Sequence, residues 1–127
     1  MAYANAAVAF FADSGLDALQ IEYLENKNIK SFDAEQHKDI SLAPKSLRKG
    51  VLVMKDTLAD VVRLNLWEVI WCKLATGHRQ DCRFYLHSGW DFYMYIGSSL
   101  LSVKAIQYAE SIGLLVEPKR SPYLDTE

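Results

Sequence analysis

The chain has 127 residues, half of them hydrophobic and about a quarter charged, with a net charge of −2 and a pI near 5.9. That is the balance of one globular domain, long enough to bury a core without disulfide or metal staples. The lack of a basic surplus argues against a nucleic-acid partner and is compatible with a basic protein one. Cys72 and Cys82 are the two cysteines, too few for a disulfide framework, so a reducing, cytoplasmic setting is expected. The Ala-rich start has no Lys or Arg before it, and no apolar run reaches the ~18 residues of a span, so neither a signal peptide nor a membrane contact is expected.

In chain order, Ala6 to Ala12 is a short apolar run that reads as a buried strand, because Asp13-Ser14-Gly15 follows as a break. Ser14-Gly15-Leu16-Asp17 has capping-box spacing and predicts a helix running to about Lys27, with Leu16, Leu19, Ile21, Tyr23 and Leu24 as its apolar members. Ile29 to Phe32 is a candidate second strand. Asp33 to Gly50 is mostly polar and reads as a long loop of mixed charge, functional or mobile at that length. Val51 to Met54 is a further short strand.

Thr57 to Asp60 repeats the capping-box spacing, and the long apolar segment after it predicts a central helix from about Thr57 to Ala75, closed by Gly77. Its polar members scatter around the wheel, as expected of a helix covered on all sides. The rival is strand, since Leu64-Asn65-Leu66 and Ile70-Trp71-Cys72-Lys73 also tolerate alternation. Two aromatic-rich runs, Arg83 to His87 and Asp91 to Ile96, flank Ser88-Gly89-Trp90 and read as a hairpin. A last amphipathic helix spans about Ser99 to Ile112 and stops at Gly113, and Leu114 to Glu117 reads as an edge strand ending at Pro118.

Few residues offer chemistry. Cys72, His78, Cys82 and His87 are the right types for tetrahedral zinc, but no pair has the usual ligand spacing, so no metal is expected. A Cys82–His87 nucleophilic pair on one strand would point to opposite faces. Alternation puts Phe92, Met94 and Ile96 on the core face of the second hairpin strand. It leaves Arg83, Tyr85, His87, Asp91, Tyr93 and Tyr95 as a polar aromatic patch. Tyr and Arg are preferred anchors at interfaces, whereas a covered face would need buried partners for the hydroxyls.

Arg63-x3-Trp67-Glu68-x2-Trp71-Cys72-Lys73-Leu74, with Phe84-Tyr85-x-His87-x-Gly89-x-Asp91-Phe92-Tyr93-Met94-Tyr95-Ile96, resembles small bacterial immunity proteins. These are partners of secreted or contact-delivered toxins, and the resemblance covers residues 63 to 97. It implies a non-enzymatic protein that binds a cognate toxin and blocks its active site. It also implies that the hairpin is shared scaffold, with the toxin-binding surface elsewhere.

These readings give a single α+β domain: a mixed or antiparallel sheet of four to five strands with three helices, and no cofactor. Two surfaces compete for the partner. Glu22, Glu25, Asp33, Glu35 and Asp39 come first, because acidic groups steer a basic partner, and Asp91 and Tyr93 on the hairpin come second. Two other readings stand beside this one: a small-molecule pocket around Tyr85, His87 and Tyr93, and acid–base chemistry by His87 and Asp91.

Overall fold

A computed structural model describes residues 2–33, 35–38, 40–76, 84–89, 93–98, 102–118 and 121. It opens with a helix, α1 (Ala2–Ser14), where the apolar run suggested a strand. Alanine is the best helix former, and Ala4, Ala7 and Phe11 recur at helical spacing and are fully buried. Asp13-Ser14-Gly15 is the end of this helix and not the start of another. The Ser14 hydroxyl donates to the Phe11 carbonyl at 2.5 Å, and Gly15 takes the left-handed conformation (φ 74°) common just past a helix.

The segment predicted as the first helix is instead a strand, β1 (Ala18–Asn26). Its core residues are Leu19, Ile21 and Leu24. The step from 21 to 24 has a physical cause: Ile21 pairs with Leu74 and Tyr23 with Lys73, so Glu22 is the extra residue of a β-bulge. A bulge turns a two-residue period into a three-residue step, and that step imitates a helix. Ile29–Ser31 is a single 3-10 turn and not a strand.

The Asp33–Gly50 connection is pinned against the second helix, α2 (Lys55–Leu66). His37 stacks on Phe32 (5.4 Å between centroids) and packs on Trp67 (4.3 Å). Ser41 donates twice to the buried Asp60 carboxylate, through its N–H and its hydroxyl, each at 3.3 Å. Asp60 is therefore an anchor for the loop. The expected capping box does not form: the Thr57 hydroxyl donates to the Met54 carbonyl, and the N-cap has no side-chain bond.

Between the loop and α2 lies β2 (Leu52–Met54), the short strand expected there. The predicted helix from Thr57 to Ala75 divides in two. Helix α2 stops at Leu66, and β3 (Ile70–Ala75) follows, every residue of it buried. Burial on all sides was legible, and a strand in the middle of a covered sheet achieves it as well as a helix does. Glu68 makes the turn with φ 58°. Asn65 holds it: its Oδ1 accepts the Cys72 N–H at 2.9 Å, and its Nδ2 donates to the Val61 carbonyl at 2.9 Å.

The hairpin is present as β4 (Phe84–Ser88) and β5 (Met94–Ser98). The last helix, α3 (Val103–Ser111), starts later than expected, and Ser99 lies outside the described residues. Leu114 to Glu117 is not a strand. The sheet is antiparallel throughout, in the order β2-β1-β3-β4-β5, and with three helices it makes a small α+β domain. The core-directed side chains lie on one face: Leu19, Ile21, Ile70, Cys72, Leu74, Phe84 and Leu86 join Ala4, Phe11, Leu58, Val61 and Leu64 from α1 and α2. No described helix is long and apolar enough to cross a membrane.

Candidate functional site

The opposite face of the sheet carries the side chains that do not enter this core. Strand register sorts them into rows. Tyr23 pairs with Lys73, Lys73 with His87, and His87 with Tyr95, which gives one row across four strands. A second row runs Leu52, Gln20, Ala75, Tyr85, Gly97 across all five. In a third, Glu25 pairs with Trp71, and the register carried on by two residues brings Trp71 level with Gly89, whose N–H bonds to the Tyr93 carbonyl at 2.7 Å.

The row from Tyr23 to Tyr95 is buried from Lys73 onward, and Tyr23 at its β1 end is half-buried. Lys73 is 5% exposed and His87 2%. The Lys73 ammonium stands 5.6 Å from the centre of the Tyr23 ring, a cation–π contact that offsets part of its desolvation. His87 Nδ1 lies 2.7 Å from the hydroxyl of Ser121, itself buried. Burial first, and the Lys73 charge second, push the His87 imidazole down to about 4. It is therefore neutral near pH 7 and a weak base, a poor match for acid–base catalysis. Asp91, its supposed partner, lies outside the described residues, as do Arg83, His78 and Cys82.

The two surviving zinc candidates are separated by the sheet. Cys72 belongs to the core face and His87 to the opposite one. Burial raises the Cys72 thiol to about 11, so it is a packed, protonated side chain. Among the described residues no group of three His, Cys, Asp or Glu is placed to hold a metal ion.

The third row is accessible at its ends, Glu25 and Tyr93, while Trp71 between them is buried. Tyr23 donates its hydroxyl to Glu25, and Lys27 sits 2.9 Å from the other carboxylate oxygen. The Tyr23 hydrogen bond, with help from Lys27, holds the Glu25 carboxyl below the usual carboxylate range, and the same bond raises the Tyr23 phenol. Tyr23 also meets Trp71 edge-to-face at 5.4 Å, and the Trp71 indole N–H donates to the Ser88 carbonyl at 2.6 Å. Tyr93, 42% exposed, stands beside Tyr95 at 6.0 Å.

This row joins two surfaces that the sequence set apart. Glu25 and Tyr93 stand at one level of the sheet, three strand spacings or roughly 14 Å from each other. Glu22 is the bulge residue before Tyr23. Asp33 and Glu35 are exposed on the turn after β1, where Asp33 Oδ1 accepts the Glu35 N–H at 2.9 Å. That turn shares its loop with Lys30, Lys38, Lys45, Arg48 and Lys49, so its field is mixed. Asp39 lies outside the described residues.

Trp71, Lys73 and Ser121 are residues that sequence reasoning did not select. The signal for the first two was the alternation of Ile70-Trp71-Cys72-Lys73 within an apolar run. Nothing local in the sequence marked Ser121, which meets His87 from 34 residues away. Compared with protein-family models, with curated proteins and with solved structures, the chain finds no match.

Proposed function

We propose that this chain is a toxin-immunity protein of the cytoplasm, a non-enzymatic domain that binds a basic toxin surface and covers it. The observation that carries the reading is the row from Glu25 through Trp71 to Tyr93. Its accessible ends are a carboxylate held ionised and in place, Glu25, and the exposed Tyr93 ring, with the buried Trp71 fixed between them. Interfaces draw their affinity from such anchors, because little conformational entropy is lost when they bind. Glu22 adds a carboxylate at the β1 end that favours encounter with a basic cleft, while Asp33 and Glu35 stand in the mixed field of their loop.

The small-molecule reading needed Tyr85, His87 and Tyr93 around one pocket. Tyr85 and His87 pack on each other at 4.8 Å with tilted rings, and His87 is buried against Ser121, whereas Tyr93 lines a hollow with Tyr3 and Tyr95.

The test is co-expression with a toxin candidate from the neighbouring reading frame. The chain should restore growth of the host and co-purify with the toxin. Glu25→Lys and Tyr93→Ala should each weaken binding of that one partner at least tenfold, with native near-UV circular dichroism. If the chain neither protects nor binds, the function is wrong. If protection persists and both variants bind normally, the surface is wrong.

A further inference from the structure

A hollow of about 710 Å³ lies along β5 and meets the row just described at Tyr93. Its walls come from α1, β5, α3 and the chain from Leu114 to Pro118. Tyr3, Phe10, Met94, Ile96 and Ile106 converge on it, and each is only half-buried. Folding has thus gathered apolar side chains from three elements without completing their cover. Ala6 and Ala109, both buried, stand where α1 and α3 approach the hollow. Small residues there let the helix backbones come close while the larger side chains at the rim hold the space open.

We infer that this hollow is a binding site for a neutral, elongated apolar small molecule, of the size and flatness of a two- or three-ring aromatic. Its volume falls within the roughly 300–1,000 Å³ of sites for drug-sized ligands. Among its described lining residues Glu117 is the one that carries a charge. The largely apolar lining gives a charged ligand little to replace its water. Tyr3, Tyr93 and Tyr95 supply ring edges and faces for an aromatic occupant. Leu115, 81% exposed, lies on the lining from the C-terminal side and would be covered by the ligand. The occupant asked for here is a small molecule and not a toxin, and Tyr93 is common to this hollow and to the toxin-binding row.

Titration of the full chain with N-phenyl-1-naphthylamine, a neutral fluorescent probe, tests the inference. Saturable binding with one site per chain is expected. Leu115→Glu, which puts a second carboxylate at an exposed position, and Ile106→Trp, which fills the hollow, should each raise the probe Kd at least fivefold. Tyr108→Ala, on α3 but outside the lining, should leave it unchanged. Near-UV circular dichroism checks that each variant keeps its fold, and Leu115→Glu decides the matter if Ile106→Trp does not fold. No saturable binding, or equal weakening by Tyr108→Ala, overturns the proposal. So does loss of the probe site as the chain self-associates at higher concentration, because a second copy would then be the occupant.

Discussion

The ring of Tyr85 lies directly over the backbone of Gly97, its neighbour across the β4–β5 pair. A β-carbon at Gly97 would overlap the ring carbons of Tyr85. The glycine is there because an aromatic side chain covers it, and not because the backbone needs an unusual φ. Gly97→Ala is expected to cost about 1–2 kcal/mol in urea unfolding, the range for overpacking a fitted site. In a Tyr85→Ala background the same change should cost close to nothing. A penalty that survives in that background would mean the strain lies in the backbone.

Asn65 is the fastening between α2 and β3, and both ends of its amide are used. Asn65→Ala leaves the Cys72 N–H buried without its acceptor, so a loss of about 2–3 kcal/mol is expected from urea midpoints. Asn65→Asp restores an acceptor but buries a charge and removes the donor to the Val61 carbonyl, so it should not rescue stability at pH 7.

Glu68 holds a left-handed backbone (φ 58°), a conformation that β-carbons disfavour by roughly 1–2 kcal/mol. Glu68→Gly removes that strain but adds freedom to the unfolded chain, so a net gain of about 0.5 kcal/mol is expected. Glu68→Val should destabilise by at least ~1 kcal/mol, because a β-branched residue tolerates the region least. Thermal melts of the three proteins give the order.

His87 makes stability depend on pH with a definite sign. The folded state lowers its pKa from 6.5 to about 4, so the unfolded chain takes up the proton first as pH falls. The contribution is complete above pH 6.5 and is lost progressively between pH 6.5 and 4. On the order of 2 kcal/mol should disappear over that window, with the buried Lys73 next to it opposing a second positive charge. His87→Gln should flatten the slope of unfolding free energy against pH. An unchanged slope would assign the acid sensitivity to other groups.

The class of the fold, the hairpin, β2 and the body of α3 were legible from residue pattern, because each keeps one clean period or one clear stop. The misreadings at the N-terminus meet at Ser14. The bulge at Glu22 gives β1 a helical spacing, and Asp13-Ser14-Gly15, which ends α1, reads both as a break after a strand and as the cap of a helix that is not there. The α2–β3 boundary was hidden because its turn is made by Glu68 and Asn65, with neither glycine nor proline to announce it. Individual residues of the candidate site were visible as exposed carboxylates and tyrosines. Their shared row was not, since it depends on which strands are neighbours, and β1 reaches Trp71 only through pairing across 46 positions (Glu25↔Trp71).

That distance bears on how the chain acquires its shape. The β3–β4–β5 meander pairs residues close in sequence, such as Lys73 with His87 and Ser88 with Met94. By contrast, β1 must slot between β2 and β3, with pairs 36 positions apart (Ala18↔Met54) and 55 apart (Gln20↔Ala75). Closing such loops costs entropy before any contact compensates, so the meander is expected to assemble early and β1 to arrive late. Truncating Leu86 should therefore slow refolding, while truncating Leu19 should chiefly speed unfolding, a contrast that stopped-flow chevrons would read directly. Until β1 docks, the edge of β3 that faces it and the facing edge of β2 stay unpaired, and a newly made chain is exposed to strand exchange with its own copies through that slot.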